Sequence, residues 1–183
     1  MKTVPVNGGF PGLVENERTM LEQFLDFNRE QVLAAVVEVD DEAAGRRWLP
    51  GTDLTIGGIV KHLARMENLW FSTKLDDLPA VEPWHSAPFD TDPDWDFHSG
   101  AAESIADLVN LYRRVCETSR QRAALEPSLD VPSARKSFAV GPTSLRWIYL
   151  HMIEETAQHR GHLDLLVDAS VRGQRGGGSK GEP

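Results

Sequence analysis

The sequence has one cysteine, no long hydrophobic run and a shortage of basic residues, and each of these absences excludes a class of protein. The single cysteine, Cys116, excludes an internal disulfide and any metal site that needs several thiolates. Because it lies in a helical pattern, we predict a buried apolar role for it rather than a nucleophilic one. No apolar run reaches the roughly 20 residues of a transmembrane helix, so a membrane protein is not expected.

The charge balance of the chain is acidic. Asp and Glu number 28 against 19 Lys and Arg, which gives a formal net charge of −9 at pH 7. Nucleic acids and anionic membranes bind to basic surfaces, so neither is an expected partner. The first residues, MKTVPVNGGFPGLVENE, lack the hydrophobic segment of a signal peptide, and the expected location is therefore the cytoplasm.

What the chain does contain is helical periodicity. Apolar residues recur at helical spacing in four long segments, which are separated by connections rich in Pro, Gly and Asp. No segment alternates with the period of a strand. Four long helices joined by long crossover connections predict an all-α fold, a four-helix bundle. A single domain is expected over residues 1–170, followed by a disordered, glycine-rich tail over residues 171–183.

The predicted helix ends follow from capping residues and helix breakers. The second helix begins after Thr55, a good N-cap, and the fourth begins after Pro142 with Thr143 or Ser144 as its cap. The other predicted boundaries are about Leu13 to Val39 for the first helix, about Ala101 to Leu125 for the third, and about Ala169 for the end of the fourth.

A long connection, DDLPAVEPWHSAPFDTDPDWDFHSG, joins the second and third helices. Its proline density excludes a long helix there. Connections of this length in a compact domain are usually either functional or disordered. Two interpretations stay open. Trp84 and Trp95 either fold the segment down as a cover over a cavity or pin it as a surface crossover.

The fourth helix carries a polar cluster, EETAQHRGH, on a pattern that is otherwise apolar. At about 100° per residue, Glu155 and His159 fall inside or at the edge of the core-facing arc, and His162 lies at its margin. Glu154 and Gln158 point away from the core. The arc, about 60° wide, is defined by Leu145, Ile148, Met152, Leu163 and Leu166.

A carboxylate that faces the core needs a partner, because an unpaired one costs several kcal/mol. His62 on the second helix lies about 50° from the line of its apolar stripe and can reach the interior. Three explanations remain open at this point. Glu155 forms a structural ion pair with a histidine, the residues line a wet cavity without chemistry, or His62, Glu155 and His159 hold a metal ion.

The metal explanation has a chemical basis in the residue types and their spacing. Residues four apart on a helix lie on one face about one turn apart, as in helix-borne metal sites. Two histidines and one glutamate suit zinc and, less selectively, nickel, cobalt or iron. Three protein ligands leave one position open for water or substrate, which is typical of catalytic rather than structural sites.

Two segments, GGIVKHLARMENLWF and LHMIEETAQHRGHLDLL, resemble the DinB-like superfamily of metal-binding four-helix bundles. They are most similar to its branch related to mycothiol-dependent maleylpyruvate isomerase. Many DinB-like proteins have His-x3-His followed by Arg-Gly-Gln on the fourth helix. Here Glu155 takes the first place, which matches the His, Glu, His set of the isomerase branch, and His162 stands where glutamine is common.

The resemblance implies a metal held by His62, Glu155 and His159, and an enzyme that uses a low-molecular-weight thiol such as mycothiol or bacillithiol. A thiol bound to a divalent metal has a lowered pKa, and its thiolate can add to a small electrophile. The expected activity is therefore S-transfer, or isomerisation by addition and elimination. His162 is expected to orient substrate or water, and Arg65 and Arg160 are candidates for binding an anionic cofactor.

Alternatives to this interpretation stay open on the sequence. Water activated by the metal would give a hydrolase, and a bundle that binds metal without chemistry would give a non-enzymatic stress-response protein. A fourth protein ligand would close a structural site, and His162 is the one candidate for it. The isomerase relatives often carry a further C-terminal domain, so the resemblance does not identify the particular substrate. No catalytic residue is assigned. DinB-like bundles often form dimers, so a homodimer is expected from the resemblance.

Overall fold

The computed structural model describes residues 9–137 and 141–177, with side chains described up to residue 174. Within these ranges the chain is an all-α bundle without strands, and only two isolated bridges, Pro132 with Ser144 and Ser137 with Gly141, have strand-like pairing. Four long helices and two short ones make up the bundle. They are α1 (Glu17–Ala35), α2 (Asp41–Gly45), α3 (Ile56–Asn68), α4 (Trp95–Gly100), α5 (Ile105–Leu125) and α6 (Leu145–Gly177).

Two of the predicted helix caps are confirmed. Thr55 Oγ1 accepts from the Gly58 amide at 3.0 Å at the start of α3, and Ser144 Oγ accepts from the Trp147 amide at 3.2 Å at the start of α6. The helix α3 does not end as a regular α-helix. It continues into a π-helical turn, Leu69–Lys74, which the helical periodicity of the sequence did not indicate.

The other predicted helix boundaries need correction. Helix α1 is shorter than predicted at its start because Asn16 caps it, accepting from the Thr19 amide at 3.1 Å. Helix α5 begins at Ile105 rather than Ala101 because the Asp41 carboxylate of α2 accepts from the Ile105 amide at 2.8 Å. Helix α6 continues past the predicted end to Gly177. The rest of the predicted tail, residues 178–183, lies outside the described residues.

Helix α3 is the central element of the bundle and packs against α4, α5 and α6, while α1 packs against α6. The predicted apolar face of the fourth helix is confirmed, since each of the five residues that define it is at most 1% exposed. Cys116 of α5 is buried, as predicted. Trp70 of the π-helical turn is also buried, and the buried core of α3 and α5 includes Ile59, Leu63, Met66, Ile105, Leu108, Tyr112 and Val115.

The short helix α4 lies directly on α3 because both helices carry glycine at the contact. A Cβ built on Gly57 would lie 2.4 Å from the Gly100 carbonyl oxygen, and one built on Gly58 would lie 2.5 Å from that of Phe97. Any side chain at these positions would therefore push the two backbones apart. This contact brings the last part of the long connection against the centre of the bundle.

The long connection, residues 76–100, is fixed to the bundle by its aromatic residues. Trp84 is buried in the main core, and Trp95 and Phe89 pack against the same core. The Trp95 ring also lies under the buried ammonium of Lys61, 3.9 Å from the ring centroid. The connection is thus pinned by aromatics, and its last turns form α4.

Among the described residues, the structure contains no helix with the length and hydrophobicity of a membrane span.

Candidate metal centre

The three residues predicted to bind metal meet between α3 and α6. Glu155 Oε1 lies 2.9 Å from His62 Nε2 and 3.3 Å from His159 Nε2. One ligand atom from each of the three residues lies within 4.8 Å of the other two. The side chains are mostly buried, with 12% exposure for each histidine and 18% for Glu155. The structure therefore places a His-Glu-His cluster at the edge of the core.

The sequence analysis missed a fourth residue of this site, Asp96 on α4. Its Oδ2 lies 2.8 Å from His62 Nδ1, on the side of the ring opposite Glu155, and the residue is fully buried. Arg65 NH1 lies 3.3 Å from both oxygens of the same carboxylate. The only signal in the sequence was the acidic run DTDPDWD, which does not show which aspartate turns inward.

The hydrogen-bonding capacity of His62 tests whether the cluster fits a metal ion. Each ring nitrogen of His62 faces a carboxylate oxygen, yet a neutral imidazole has only one N–H to donate. Without metal, both contacts are hydrogen bonds only when the ring is protonated. With Nδ1–H donated to Asp96, the lone pair of Nε2 is free to bind a cation shared with Glu155. The donor set of two imidazoles and one carboxylate therefore fits a divalent transition metal.

The electrostatics of the cluster favour a charged carboxylate beside the histidines. Hydrogen bonds from His159 and His62 hold the pKa of Glu155 well below its usual range, against the effect of burial. Burial lowers the pKa of His62, but hydrogen bonds to Asp96 and Glu155 outweigh it, so the net shift is upward. Burial raises the pKa of Asp96, and its bonds to His62 and Arg65 bring the net value below normal.

One aromatic residue of α4, Phe97, packs against both histidines of the cluster. The ring of Phe97 stacks on His62 with a centroid distance of 4.2 Å and an interplanar angle of 19°. It also lies 5.9 Å from the ring of His159. Phe97 therefore shields the two imidazoles from water on one side and limits the orientation of His62.

The three residues predicted to bind cofactor have different surroundings. The ring of His162 lies 5.3 Å from that of His159, and its Nδ1 is buried without a hydrogen-bond partner among the described residues. Arg160 NH1 contacts Asn28 Oδ1 at 3.4 Å. Arg65 is held between Asp96 and the ring of Phe89, 3.8 Å from the ring centroid.

Two tryptophans near the cluster have different environments. Trp70 is buried, whereas Trp147 is 36% exposed. Trp147 stacks on His151, with a centroid distance of 5.0 Å, one helical turn before Glu155. Trp147 therefore lies at the rim between α6 and the π-helical turn, where its ring is 5.1 Å from that of Trp70.

The fold is that of a DinB-like four-helix bundle, with a cluster of two histidines and one glutamate at the edge of its core. The family model described as mycothiol-S-transferase matches residues 20–169, and the chain belongs to this family. The crystal structure of a conserved protein from Enterococcus faecalis is similar in fold, with a TM-score of 0.61 and 13% identity, covering 86% of this chain and 99% of that one. No curated protein matches the chain.

Proposed function

We propose that this chain is a metal-dependent transferase that joins a low-molecular-weight thiol of the mycothiol type to a small electrophile. The observation that carries the proposal is the cluster of His62, Glu155 and His159, whose donor atoms lie within 4.8 Å of one another in a chain of the mycothiol S-transferase family. Zinc suits this donor set best, and nickel, cobalt or iron suit it less selectively.

His62, Glu155 and His159 would hold a divalent metal, whose positive charge would lower the pKa of a bound thiol so that thiolate is present at neutral pH. The protein has no thiol of its own for this reaction. Cys116 is buried, and its burial raises the pKa of the thiol well above the ordinary value. The reacting sulfur must therefore come from a small molecule.

The proposed reaction forms one bond between the thiolate sulfur and an electrophilic carbon. With an alkyl halide, the halide leaves with the electron pair of its bond, and the thiol proton goes to solvent. With an activated double bond, the neighbouring carbon takes up the proton instead. Addition followed by elimination would isomerise a double bond by the same route.

The number of ligands in the cluster supports an exchangeable site. His162, the candidate for a fourth ligand, is not part of the donor group found among the described residues. Three protein ligands leave a position for thiol or substrate. The ring of His162 lies 5.3 Å from that of His159, and its Nδ1, which has no hydrogen-bond partner among the described residues, would orient the bound thiol or substrate.

The two arginines have different proposed roles. Arg160 makes one long contact, to Asn28 Oδ1 at 3.4 Å, so its guanidinium is the better candidate to bind an anionic group of the thiol or substrate. Arg65 is already engaged by the Asp96 carboxylate and by Phe89. Its contribution to cofactor binding would therefore be indirect.

The metal can be tested by elemental analysis of untagged protein purified without chelator. We expect about one transition metal per chain in the wild type and in Gln158→Ala, whose side chain is exposed next to the cluster. His159→Ala should lose the metal because it removes one of three ligands. Wild-type protein that stays folded and binds neither added zinc nor added nickel would instead favour a structural ion pair.

The transferase activity can be tested with zinc-loaded protein, a haloalkane and three thiols in parallel: mycothiol, bacillithiol and glutathione. Loss of free thiol and release of halide should occur together, and His159→Ala should show neither above the uncatalysed rate. Metal-loaded protein that turns over none of these thiols would contradict the transferase assignment. An ester or amide hydrolysed under the same conditions would then indicate the hydrolase alternative.

The homodimer expected from the resemblance stays a prediction, which light scattering can test.

A further inference from the structure

The metal cluster has a buried carboxylate beside it that binds one of the ligands rather than the metal. Asp96 is fully buried, and its Oδ2 lies 2.8 Å from His62 Nδ1. We propose that Asp96 is a positioning residue of the metal centre, which fixes the His62 tautomer with the proton on Nδ1 and so presents Nε2 to the metal. This inference rests on the metal site of the proposed function.

The surroundings of Asp96 favour this role over a chance contact. A buried carboxylate must be hydrogen-bonded and its charge compensated. Here Arg65 provides the positive charge, with NH1 3.3 Å from both carboxylate oxygens. Arg65 is itself held over the ring of Phe89, at 3.8 Å from the ring centroid. The carboxylate is thus satisfied as an anion and remains an acceptor for the Nδ1–H of His62.

The short helix α4 fixes the His62 ring in two directions. Asp96 holds its edge, and the next residue, Phe97, stacks on its face at 4.2 Å. Both residues are placed by the contact between the two helix backbones at Gly58, where no Cβ can be accommodated. A metal-ligating histidine commonly donates its other N–H to a carboxylate, and such partners typically change metal affinity 10–100-fold.

The first test is zinc affinity, measured by competition with a chromophoric chelator. We expect Asp96→Asn to bind zinc about 10–100-fold more weakly than the wild type. The amide oxygen is a weaker acceptor for Nδ1–H than a carboxylate, and the amide can also turn its NH2 group toward the ring. The matched control is Asp92→Asn. Asp92 makes the same kind of contact with His98 Nδ1, at 3.0 Å, but on the exposed surface. The Asp92→Asn variant should bind zinc with the affinity of the wild type.

Two spectroscopic measurements separate positioning from general stability. In zinc-loaded wild-type protein, nitrogen NMR of the histidine rings should show the proton of His62 on Nδ1 and the metal on Nε2. This result needs no variant to fold, and the opposite arrangement overturns the proposal. The d–d absorption of cobalt-loaded protein should change in Asp96→Asn and stay unchanged in Asp92→Asn.

The outcomes distinguish the positioning role from the proposed function. Wild-type protein that binds neither zinc nor nickel overturns both. Wild-type protein that binds zinc, with Asp96→Asn binding it equally well, overturns only the role of Asp96 and leaves the transferase assignment in place. Weaker binding by Asp96→Asn, with Nδ1 protonated in the wild type, supports the proposal.

Discussion

Gly58 of α3 and Phe97 of α4 are in such close contact that a Cβ at Gly58 would lie 2.5 Å from the Phe97 carbonyl oxygen. This contact joins the long connection to the helix that carries His62. The neighbour of Phe97 is Asp96, which binds His62. The surroundings of His62 therefore depend on a glycine that has no chemical role of its own.

Replacing this glycine should disturb both stability and metal binding. We expect Gly58→Ala to unfold at a lower denaturant concentration, although alanine favours helix, because the atom in its way is backbone and α4 must shift. The shift should also weaken zinc binding. Equilibrium unfolding and chelator competition measure the two effects.

Gly161→Ala is the matched control for that substitution. A Cβ at Gly161 meets no described atom within 4 Å, and the residue is exposed on α6. Alanine there should raise the free energy of unfolding by about 0.5–1 kcal/mol through helix propensity. If Gly58→Ala behaved like Gly161→Ala, the close packing of α3 and α4 would not be the constraint described here.

The buried ion pair between Arg29 and Glu67 should be sensitive to loss of one partner. Two hydrogen bonds, of 2.7 and 2.6 Å, join the guanidinium to a carboxylate that is 0% exposed. Glu67→Gln should lower the free energy of unfolding by up to about 3–5 kcal/mol, since the remaining anionic partner of the buried Arg29, Asp26 at 2.7 Å, is 39% exposed and compensates the charge only in part. Urea unfolding followed by circular dichroism measures the change.

An exposed pair of similar length provides the comparison. Arg47 and Asp53 lie 2.8 Å apart with side chains that are 64% and 70% exposed. Asp53→Asn should change the free energy of unfolding by less than about 1 kcal/mol. Equal effects of the two substitutions would show that burial does not decide the strength of these contacts.

The helix α5 should depend on Asp41 rather than on the serine that precedes it. Asp41 Oδ1 accepts from the Ile105 amide at 2.8 Å, whereas Ser104 makes no capping hydrogen bond within the described part of the chain. Asp41→Ala should cost about 0.5–2 kcal/mol, the usual range for loss of a cap, and Ser104→Ala should cost less. Thermal unfolding of the two variants compares them, and the reverse order would contradict the structure.

The thiol of Cys116 should make stability fall at alkaline pH. Burial raises its pKa in the folded chain, and Glu67 adds to the shift, so the folded state favours the protonated thiol. The stabilisation is complete below the unfolded pKa of about 8.5 and is lost as the pH rises toward the folded value. Above pH 8.5 the wild type should lose up to about 1.4 kcal/mol per pH unit relative to Cys116→Ala.

Denaturant unfolding of both proteins between pH 7 and 9.5 measures this difference. A constant difference in the free energy of unfolding over that range would mean that the thiol ionises equally well in both states. Alkylation of the folded wild type should likewise be slow, because the thiol is both buried and protonated.

The sequence by itself determined the bundle and most of the cluster. Helical periodicity is a local property, so it identified the inward faces of α3, α5 and α6, and the i, i+4 spacing placed Glu155 and His159 on the core side. His62 was identified from its position beside an apolar stripe. In each case the helix geometry fixes where a side chain points once the apolar face is known.

Only the tertiary structure decided the residues whose roles depend on contacts between elements. In the sequence, Asp96 cannot be distinguished from its acidic neighbours. In the structure, the glycines of α3 and α4 allow the two backbones to touch, and this contact places Asp96 beside His62. The same holds for the cap of α5, which comes from Asp41 on another helix. Helical periodicity predicts the environment of a residue within its own helix, whereas a partner distant in sequence is set by how the elements pack.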